Sequence, residues 1–172
     1  MEEYTKENQM TKINMIAAVD EAFAIGYENH LLYHLSQDLM QFREKTDGKC
    51  IIMGRKTLES LPEGRPLTNR RNIVLSSTMQ ICNGAEVYHN GDEIRRAIQR
   101  EEEAWVIGGE SIYKLFLPYA DAIYLTHIHQ KAVCSDTYFP VLDTVWKCVE
   151  RSEDREENGI TYHFAQYEKG TH

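Results

Sequence analysis

Apolar and polar segments alternate along the chain, and the spacing of the apolar positions changes from one segment to the next. Short, continuous apolar runs are typical of strands that are buried on both faces of a sheet. Such runs predict strands over residues 13–19, 49–54, 72–77, 104–109 and 122–128, with a weaker strand at 86–88. The segments between them predict helices over residues 34–46, 55–61, 91–102 and 110–118.

The order of these elements predicts the fold class. Strands that alternate with helices form a mainly parallel sheet that is covered on both faces. Segments 146–152 and 160–169 indicate an antiparallel pair joined by an acidic turn, and segment 20–33 is predicted to be irregular. We therefore expect an α/β fold with a central, mostly parallel mixed sheet of about eight strands, an antiparallel C-terminal hairpin and about four helices. Binding sites on such sheets lie at the carboxyl ends of the strands.

Length and composition indicate which broad class of protein this chain belongs to. The 172 residues include 42% hydrophobic and 27% charged side chains, and the net charge is −8. These values fit one globular domain over residues 13–169, after a polar N-terminal extension at 1–12 that we expect to be disordered. The negative charge argues against a nucleic-acid partner, and no apolar run is long enough for a membrane span. The four cysteines form no paired motif and fit reduced thiols, so we expect a cytoplasmic protein.

Asp38 is the first candidate for chemistry. At about 100° per residue, it falls in the same sector of the predicted helix as Leu35 and Phe42, so a carboxylate lies on the apolar face. No basic residue shares that face, and a buried carboxylate needs hydrogen-bond donors from the fold or from a ligand. The alternative is an acid in the first turn after an N-cap at Ser36, where it would favour the helix dipole.

Three predicted strands end in groups that suit phosphate. Gly108 and Gly109 precede a helix, where glycine lets a ligand approach the backbone and free N–H groups attract anions. Gly54 ends a second strand before two cations and a hydroxyl, and a third strand ends in Ser76 and Ser77. Each feature alone is usually a turn, but together they indicate a ligand with several phosphates, such as a dinucleotide. The G-x-G-x-x-G fingerprint is absent.

His127 and His129 alternate on a predicted strand and would face the same side of it. Two imidazoles on one face can begin a metal site, but no third ligand follows at a suitable spacing. We therefore expect no metal.

Several segments, taken in order, match a known family: IAAVD, AIGYEN, the Asp38 helix, IIMGRKTLES, GRPL, RRNIVLSS, VIGGESIYKLFLP, IYLTHI and DTYFP. The chain thereby resembles dihydrofolate reductases of the single-chain bacterial type over residues 13–167. The resemblance implies an oxidoreductase that transfers a hydride from NADPH to 7,8-dihydrofolate, while a proton reaches N5 of the pterin.

The same resemblance implies roles for individual residues at the substrate. Asp38 would face the pteridine ring, accept two hydrogen bonds from it and favour its protonation. Thr126 would support this carboxylate, and Tyr33 would keep a polar tip near the water beside the substrate. Arg70 would bind the α-carboxylate of the glutamate tail bidentately. The other residues implied to contact the substrate are Ile16, Ala18, Leu31, Leu39, Phe42, Leu67 and Ile107.

For the cofactor, Arg55 and Ser77 would recognise the 2′-phosphate, which favours NADPH over NADH. Gly108 and Gly109 resemble the family's glycine pair joined by a cis peptide, and segment 20–33 corresponds to the mobile loop that closes over nicotinamide. The full set implied to bind the cofactor is Ala18, Ile25, Gly26, Asn29, Gly54, Arg55, Lys56, Thr57, Leu75, Ser76, Ser77, His89, Ile107, Gly108, Gly109, Glu110, Ser111, Ile112 and Tyr113.

The chain departs from the family at Leu32 and Tyr33, where Pro-Trp is usual. Loss of the proline should loosen the closing loop and alter turnover and antifolate affinity. The implied partners are dihydrofolate and antifolates such as methotrexate or trimethoprim, and we expect a monomer. Two alternatives stay open: a pyrimidine reductase of riboflavin synthesis, which should lack the Asp38 helix pattern, and a folate- or nucleotide-binding module without turnover.

Overall fold

The computed structural model describes residues 11–170, which form two sheets and four α-helices. The strands are β1 (Lys12–Val19), β2 (Ala24–Tyr27), β3 (His30–Leu31), β4 (Cys50–Gly54), β5 (Arg71–Leu75), β6 (Ala85–Tyr88), β7 (Glu103–Gly108), β8 (Ala122–Ile128), β9 (Thr137–Tyr138), β10 (Trp146–Arg151), β11 (Arg155–Glu157) and β12 (Ile160–Lys169). The helices are α1 (Ser36–Thr46), α2 (Arg55–Ser60), α3 (Gly91–Ala97) and α4 (Glu110–Phe116), with 3₁₀ turns at Pro62–Gly64 and Leu117–Tyr119.

The central sheet has nine strands and confirms the predicted α/β class. Its order is β10-β12-β8-β1-β7-β4-β5-β6, and β11 pairs with β12. The pairs from β8 through β6 are parallel, whereas β12 is antiparallel to β8, β10 and β11. The C-terminal hairpin therefore forms the antiparallel edge that the sequence predicted. Because β1, β4, β5, β6 and β7 run in parallel, their carboxyl ends meet at one edge.

Continuous apolar runs form the central strands because both faces of the sheet are covered. Ile51, Ile52 and Met53 of β4 are completely buried, although successive side chains point to opposite faces. Ile52 packs with residues of α3 and α4, while Ile51 and Met53 pack on the other side with Leu58 of α2 and Phe42 of α1. The helices thus form one layer on each face of the sheet.

Helix α1 begins two residues later than predicted, and Ser36 is not its N-cap. Leu35 occupies the N-cap position without a capping side chain. The Ser36 backbone N–H and hydroxyl instead donate to the Glu157 carboxylate, at 2.8 and 2.7 Å. A carboxylate from the end of β11 therefore accepts hydrogen bonds from the first turn of α1, whose N–H groups have no partner within the helix. It also complements the positive end of the helix dipole.

Helix α3 ends at Ala97, which is earlier than the predicted end at residue 102. The Ala97 carbonyl accepts a hydrogen bond from Arg71 Nη2 at 3.2 Å. The same guanidinium is ion-paired to Glu86 and Glu101. Arg71 thus donates a hydrogen bond to a carbonyl at the helix end, and its ion pairs hold the following turn beside β5.

Segment 20–33 is not irregular throughout, because it contains the β2–β3 hairpin. Glu28 and Asn29 form its turn with φ of 48° and 66°, the left-handed conformation that two-residue hairpin turns require. Strand β9 pairs with the other side of β2, and Asp136 accepts a hydrogen bond from the Glu28 N–H at 3.0 Å. The predicted loop is therefore a small three-stranded sheet.

The predicted disordered extension at 1–12 lies almost entirely outside the described residues. Lys12 belongs to β1, where it pairs with Glu103. Within residues 11–170, no helix is both long enough and apolar enough to cross a membrane.

Candidate active site

The site centres on Asp38, which helix α1 presents toward strand β8. Asp38 Oδ1 accepts a hydrogen bond of 2.5 Å from the hydroxyl of Thr126, and the Thr126 side chain is buried. Asp38 itself is half-buried. It also lies in the first turn of α1, as the alternative interpretation expected, but the N-cap is Leu35 and not Ser36.

Burial sets the electrostatics of Asp38. It raises the pKa of the carboxyl above its ordinary value, and the hydrogen bond from Thr126 opposes that shift only in part. Within residues 11–170, no lysine or arginine forms an ion pair with Asp38. A carboxylate in this position attracts donors or a positive charge from a ligand.

Tyr113 and the glycine pair form the floor beside Asp38. The buried Tyr113 hydroxyl donates to the carbonyl of Ile16 at 2.7 Å, and burial raises the pKa of this phenol. The Gly108–Gly109 peptide is cis, as the resemblance implied, and Gly108 has φ of 127°. A Cβ on Gly108 would lie 3.3 Å from the Tyr113 hydroxyl and 3.4 Å from Thr57 Oγ1. The positive φ and these close neighbours therefore favour glycine at position 108.

The carboxyl ends of β4, β5 and β6 bring the predicted phosphate-binding groups together. Arg55 follows β4, where its exposed guanidinium pairs with Glu59 at 3.2 Å. Ser76 and the exposed Ser77 follow β5, and His89 follows β6. His89 Nδ1 lies 2.7 Å from the Ser76 carbonyl, which can only accept, so the ring donates there and its Nε2 stays available.

The protein itself orients the Arg70 guanidinium and leaves two of its N–H groups without a partner among the described residues. Its Nε, Nη1 and Nη2 donate to Thr46 Oγ1, the Thr68 carbonyl and the Arg43 carbonyl at 3.2, 2.8 and 3.4 Å. These contacts use three of the five guanidinium N–H groups, and the remaining two suit a carboxylate. The contacts with Thr46 and Arg43 place Arg70 beside the C-terminal end of α1.

The apolar residues predicted around the substrate share the rim and floor of this cleft. Leu39 and Leu31 are exposed, at 46% and 56%, which is unusual for leucine on an ordered element. Tyr33 packs with Ala18 on the buried cluster of Leu35, Ile128 and Tyr162. The remaining predicted wall residues, all half-buried or buried, are Ile16, Phe42, Leu67 and Ile107.

Some residues predicted to bind the cofactor are engaged within the protein. The Glu110 carboxylate accepts from the Tyr138 N–H at 2.7 Å and pairs with Lys114 at 2.9 Å. The buried Ile112 packs so closely under Gly54 that a Cβ there would lie 3.1 Å from it. The Ser76 hydroxyl accepts from the backbone of its own turn. Of the other predicted cofactor residues, Leu75 ends β5, two lie in the first turns of α2 and α4 (Lys56 and Ser111), and three lie in the β2–β3 hairpin (Ile25, Gly26 and Asn29).

Two supporting residues were missed by the sequence analysis. Asp20 accepts hydrogen bonds from the N–H groups of Ala22, Ala24 and Ala132, and so ties the hairpin to the loop after β8. Glu157 binds the first turn of α1 from 121 residues away. Asp20 could have been suspected as an acid at a strand end, whereas no local pattern marks Glu157.

Comparisons with known proteins agree on one family. A family model described as dihydrofolate reductase matches residues 12–169. Dihydrofolate reductase from Bacillus subtilis is 41% identical over 161 residues, which are 91% of this chain and 94% of the relative. That from Neisseria meningitidis is 40% identical and covers 92% of this chain and 98% of its own. The structure of the Enterococcus faecalis dihydrofolate reductase complexed with NADP(H) and RAB-propyl is 32% identical, with a TM-score of 0.85 over 93% of this chain and 97% of the other.

Proposed function

The chain belongs to the dihydrofolate reductase family, and we propose that Asp38, Thr126 and Tyr33 form its catalytic group. The enzyme reduces 7,8-dihydrofolate to 5,6,7,8-tetrahydrofolate with NADPH. The assignment of the group is supported by one observation above all. Asp38 is a half-buried carboxylate that is held by a buried hydroxyl and has no ion-pair partner in the described residues, and the exposed Leu39 lies next to it on α1.

Asp38 orients the pterin and favours its protonation. Thr126 fixes one carboxylate oxygen, which leaves the remaining lone pairs for the 2-amino group and N3 side of the ring. The negative charge stabilises the ring when N5 gains its proton, and water delivers that proton. Tyr33 lies beside the same cluster as Ala18, where its polar tip holds the water near the substrate.

The cofactor fits the carboxyl edge of the sheet. Gly109 carries no Cβ, and Thr57 Oγ1 at 3.6 Å is the one side-chain atom that such a Cβ would meet, so the nicotinamide end can approach this backbone. NADPH, when bound, supplies the hydride. Arg55 and Ser77 bind the 2′-phosphate, since both are exposed at adjacent strand ends and offer charge and a hydroxyl.

Arg70 binds the glutamate tail of the substrate. Its guanidinium is already oriented by Thr46 and by two backbone carbonyls, so little side-chain entropy is lost when a carboxylate arrives. The apolar wall that includes Leu39 and Phe42 covers the part of the substrate between the ring and the tail. The same cleft binds antifolates such as methotrexate or trimethoprim.

We also propose a cytoplasmic monomer. The four cysteines, Cys50, Cys82, Cys134 and Cys148, are all free, which is typical of a reducing compartment. Light scattering during size-exclusion chromatography measures the mass, and a dimer mass would contradict the monomer.

The experiment that tests the function compares NADPH and NADH as hydride donors. We expect the absorbance of NADPH to fall on addition of dihydrofolate, with NADH a much poorer donor. Arg55→Ala should raise the KM for NADPH by about 10–100-fold with little effect on NADH, because it removes charge-assisted hydrogen bonds. Arg65→Ala is the matched control, since Arg65 is exposed and pairs only with its neighbour Glu63.

Two outcomes would contradict the proposal. Binding of NADPH without any turnover of dihydrofolate would leave a binding module. Equal effects of the Arg55 variant on both dinucleotides would show that this arginine does not contact the 2′-phosphate.

A further inference from the structure

Four side chains with metal-binding chemistry meet on the sheet face opposite Asp38. His127 and His163 pair across β8 and β12, and neighbouring Thr126 points the other way, toward Asp38. His129 follows β8 on the His127 side, and Asp154 approaches from the loop between β10 and β11. The sequence spacing offered no third ligand to His127 and His129, because His163 and Asp154 arrive only through strand pairing.

The ligand atoms are close enough to share one cation. His129 Nε2 lies 2.7 Å from His163 Nδ1, and each nitrogen lies 3.9 Å from Asp154 Oδ1. A point equidistant from three atoms with these separations lies about 2.1 Å from each, which is the length of a zinc bond to imidazole nitrogen or carboxylate oxygen. Tetrahedral ligands at that bond length stand about 3.4 Å apart, so the two nitrogens must separate and Asp154 must move closer when an ion binds.

His127 does not belong to this set of ligands. Its Nε2 lies 2.7 Å from the Tyr167 hydroxyl, and its ring stacks on His163 at 4.9 Å.

Arg151 is the competing cation. Its Nη2 lies 3.1 Å from Asp154 Oδ1 and 3.5 Å from His163 Nδ1. Since a guanidinium only donates, His163 Nδ1 accepts there and already presents its lone pair toward the cluster. Arg151 is half-exposed and can turn toward solvent, whereas the two histidines are held more closely by the sheet.

We propose that His129, His163 and Asp154 form a binding site for a divalent transition-metal cation such as Zn²⁺. Two imidazoles and one carboxylate leave a fourth position for water, which is a donor set that such cations accept. The site is separate from the pterin cleft, so Asp38→Asn leaves binding unchanged.

The test titrates Zn²⁺ and Co²⁺ into the full-length protein without NADPH or substrate. Isothermal titration calorimetry measures Zn²⁺ binding, and visible absorption of Co²⁺ reports nitrogen and oxygen ligation. The exposed thiols Cys134 and Cys148 are changed to serine in every protein, because thiolates also bind these ions. We expect one equivalent to bind in this background.

Single variants test which residues bind Zn²⁺. His129→Gln and Asp154→Asn should each weaken Zn²⁺ binding by at least about tenfold. Arg151→Gln should strengthen it several-fold, because it removes the competing charge. His30→Gln, at an exposed histidine on β3, should have no effect. Absence of saturable binding, or equal affinity in the His129 and His30 variants, would overturn the proposal, as would weaker binding after loss of the Arg151 charge.

Discussion

The substitution Asp38→Asn separates the catalytic role of this residue from its role in folding. Asparagine keeps the size of the side chain but replaces one acceptor oxygen with a donor amide and removes the charge. Because Thr126 already donates to one oxygen at 2.5 Å, the variant cannot accept from Thr126 and from both pterin donors in the same way. At least one charge-assisted hydrogen bond is lost, together with the attraction for a protonated ring.

The expected effect on turnover is large. One charge-assisted hydrogen bond contributes about 1.5–3 kcal/mol, which corresponds to roughly 10–150-fold in rate. Loss of the charge beside N5 adds to this, so we expect kcat to fall by roughly 10²–10⁴-fold. The defect should be smaller at low pH, where the substrate arrives already protonated.

The expected effect on stability has the opposite sign. Burial raises the folded-state pKa of Asp38, so the folded protein binds the proton more tightly than the unfolded chain. The resulting destabilisation is absent below the unfolded pKa of about 3.9 and is complete once pH exceeds the folded pKa. The ligand-free Asn variant should therefore be at least as stable as the wild type at neutral pH, and this advantage should shrink as pH falls.

Two measurements on the same protein check this reasoning. Steady-state NADPH oxidation gives the rate across pH, and thermal unfolding of the ligand-free protein gives the stability. An unchanged rate would refute the mechanism. A clear loss of stability at neutral pH would instead show that the Asp38–Thr126 contact outweighs the burial of the carboxylate.

Three further variants test other residues of the proposed site. Thr126→Val removes the donor that lowers the Asp38 pKa, so the pH–rate profile should move to higher pH and the rate should fall about tenfold; an unmoved profile would contradict this. Arg70→Lys should raise the KM for dihydrofolate about 10–100-fold with little change in kcat, and it should leave KM unchanged for a substrate without the glutamate tail. The double change Leu32→Pro/Tyr33→Trp should tighten trimethoprim binding by about 2–5-fold because it stiffens the chain before α1, and equal inhibition constants would remove this idea.

The buried strands could be predicted because burial on both faces leaves a strong local pattern. The run Ile51–Met53 needs no knowledge of its neighbours to be recognised as a buried strand. Asp38 was likewise visible as an acid on an apolar helix face. Its hydroxyl partner Thr126 came only from the family resemblance, since it lies 88 residues away on another element.

The features that escaped prediction depend on contacts between distant segments. The end of α3 is fixed by Arg71, and the start of α1 is fixed by Glu157, and neither side chain belongs to the helix that it bounds. The β2–β3 hairpin was not predicted because its strands are short and its other neighbour in the sheet is the two-residue strand β9, which pairs with β2. Local propensity cannot report interactions that exist only after the chain has folded.

These distant contacts explain how the site holds a carboxylate that burial disfavours. The first turn of α1 is bound from two sides, by Glu157 at Ser36 and by Thr126 at Asp38 itself. The helix is therefore fixed to the sheet by hydrogen bonds as well as by the buried Leu35, while exposed Leu39 is left to the cleft. Because the protein leaves Leu39 exposed, a ligand can bury this side chain, and the hydrogen-bond donors of that ligand reduce the cost of placing Asp38 there. Binding of a pterin and stabilisation of the fold should consequently rise together, since both depend on neutralising the same carboxylate.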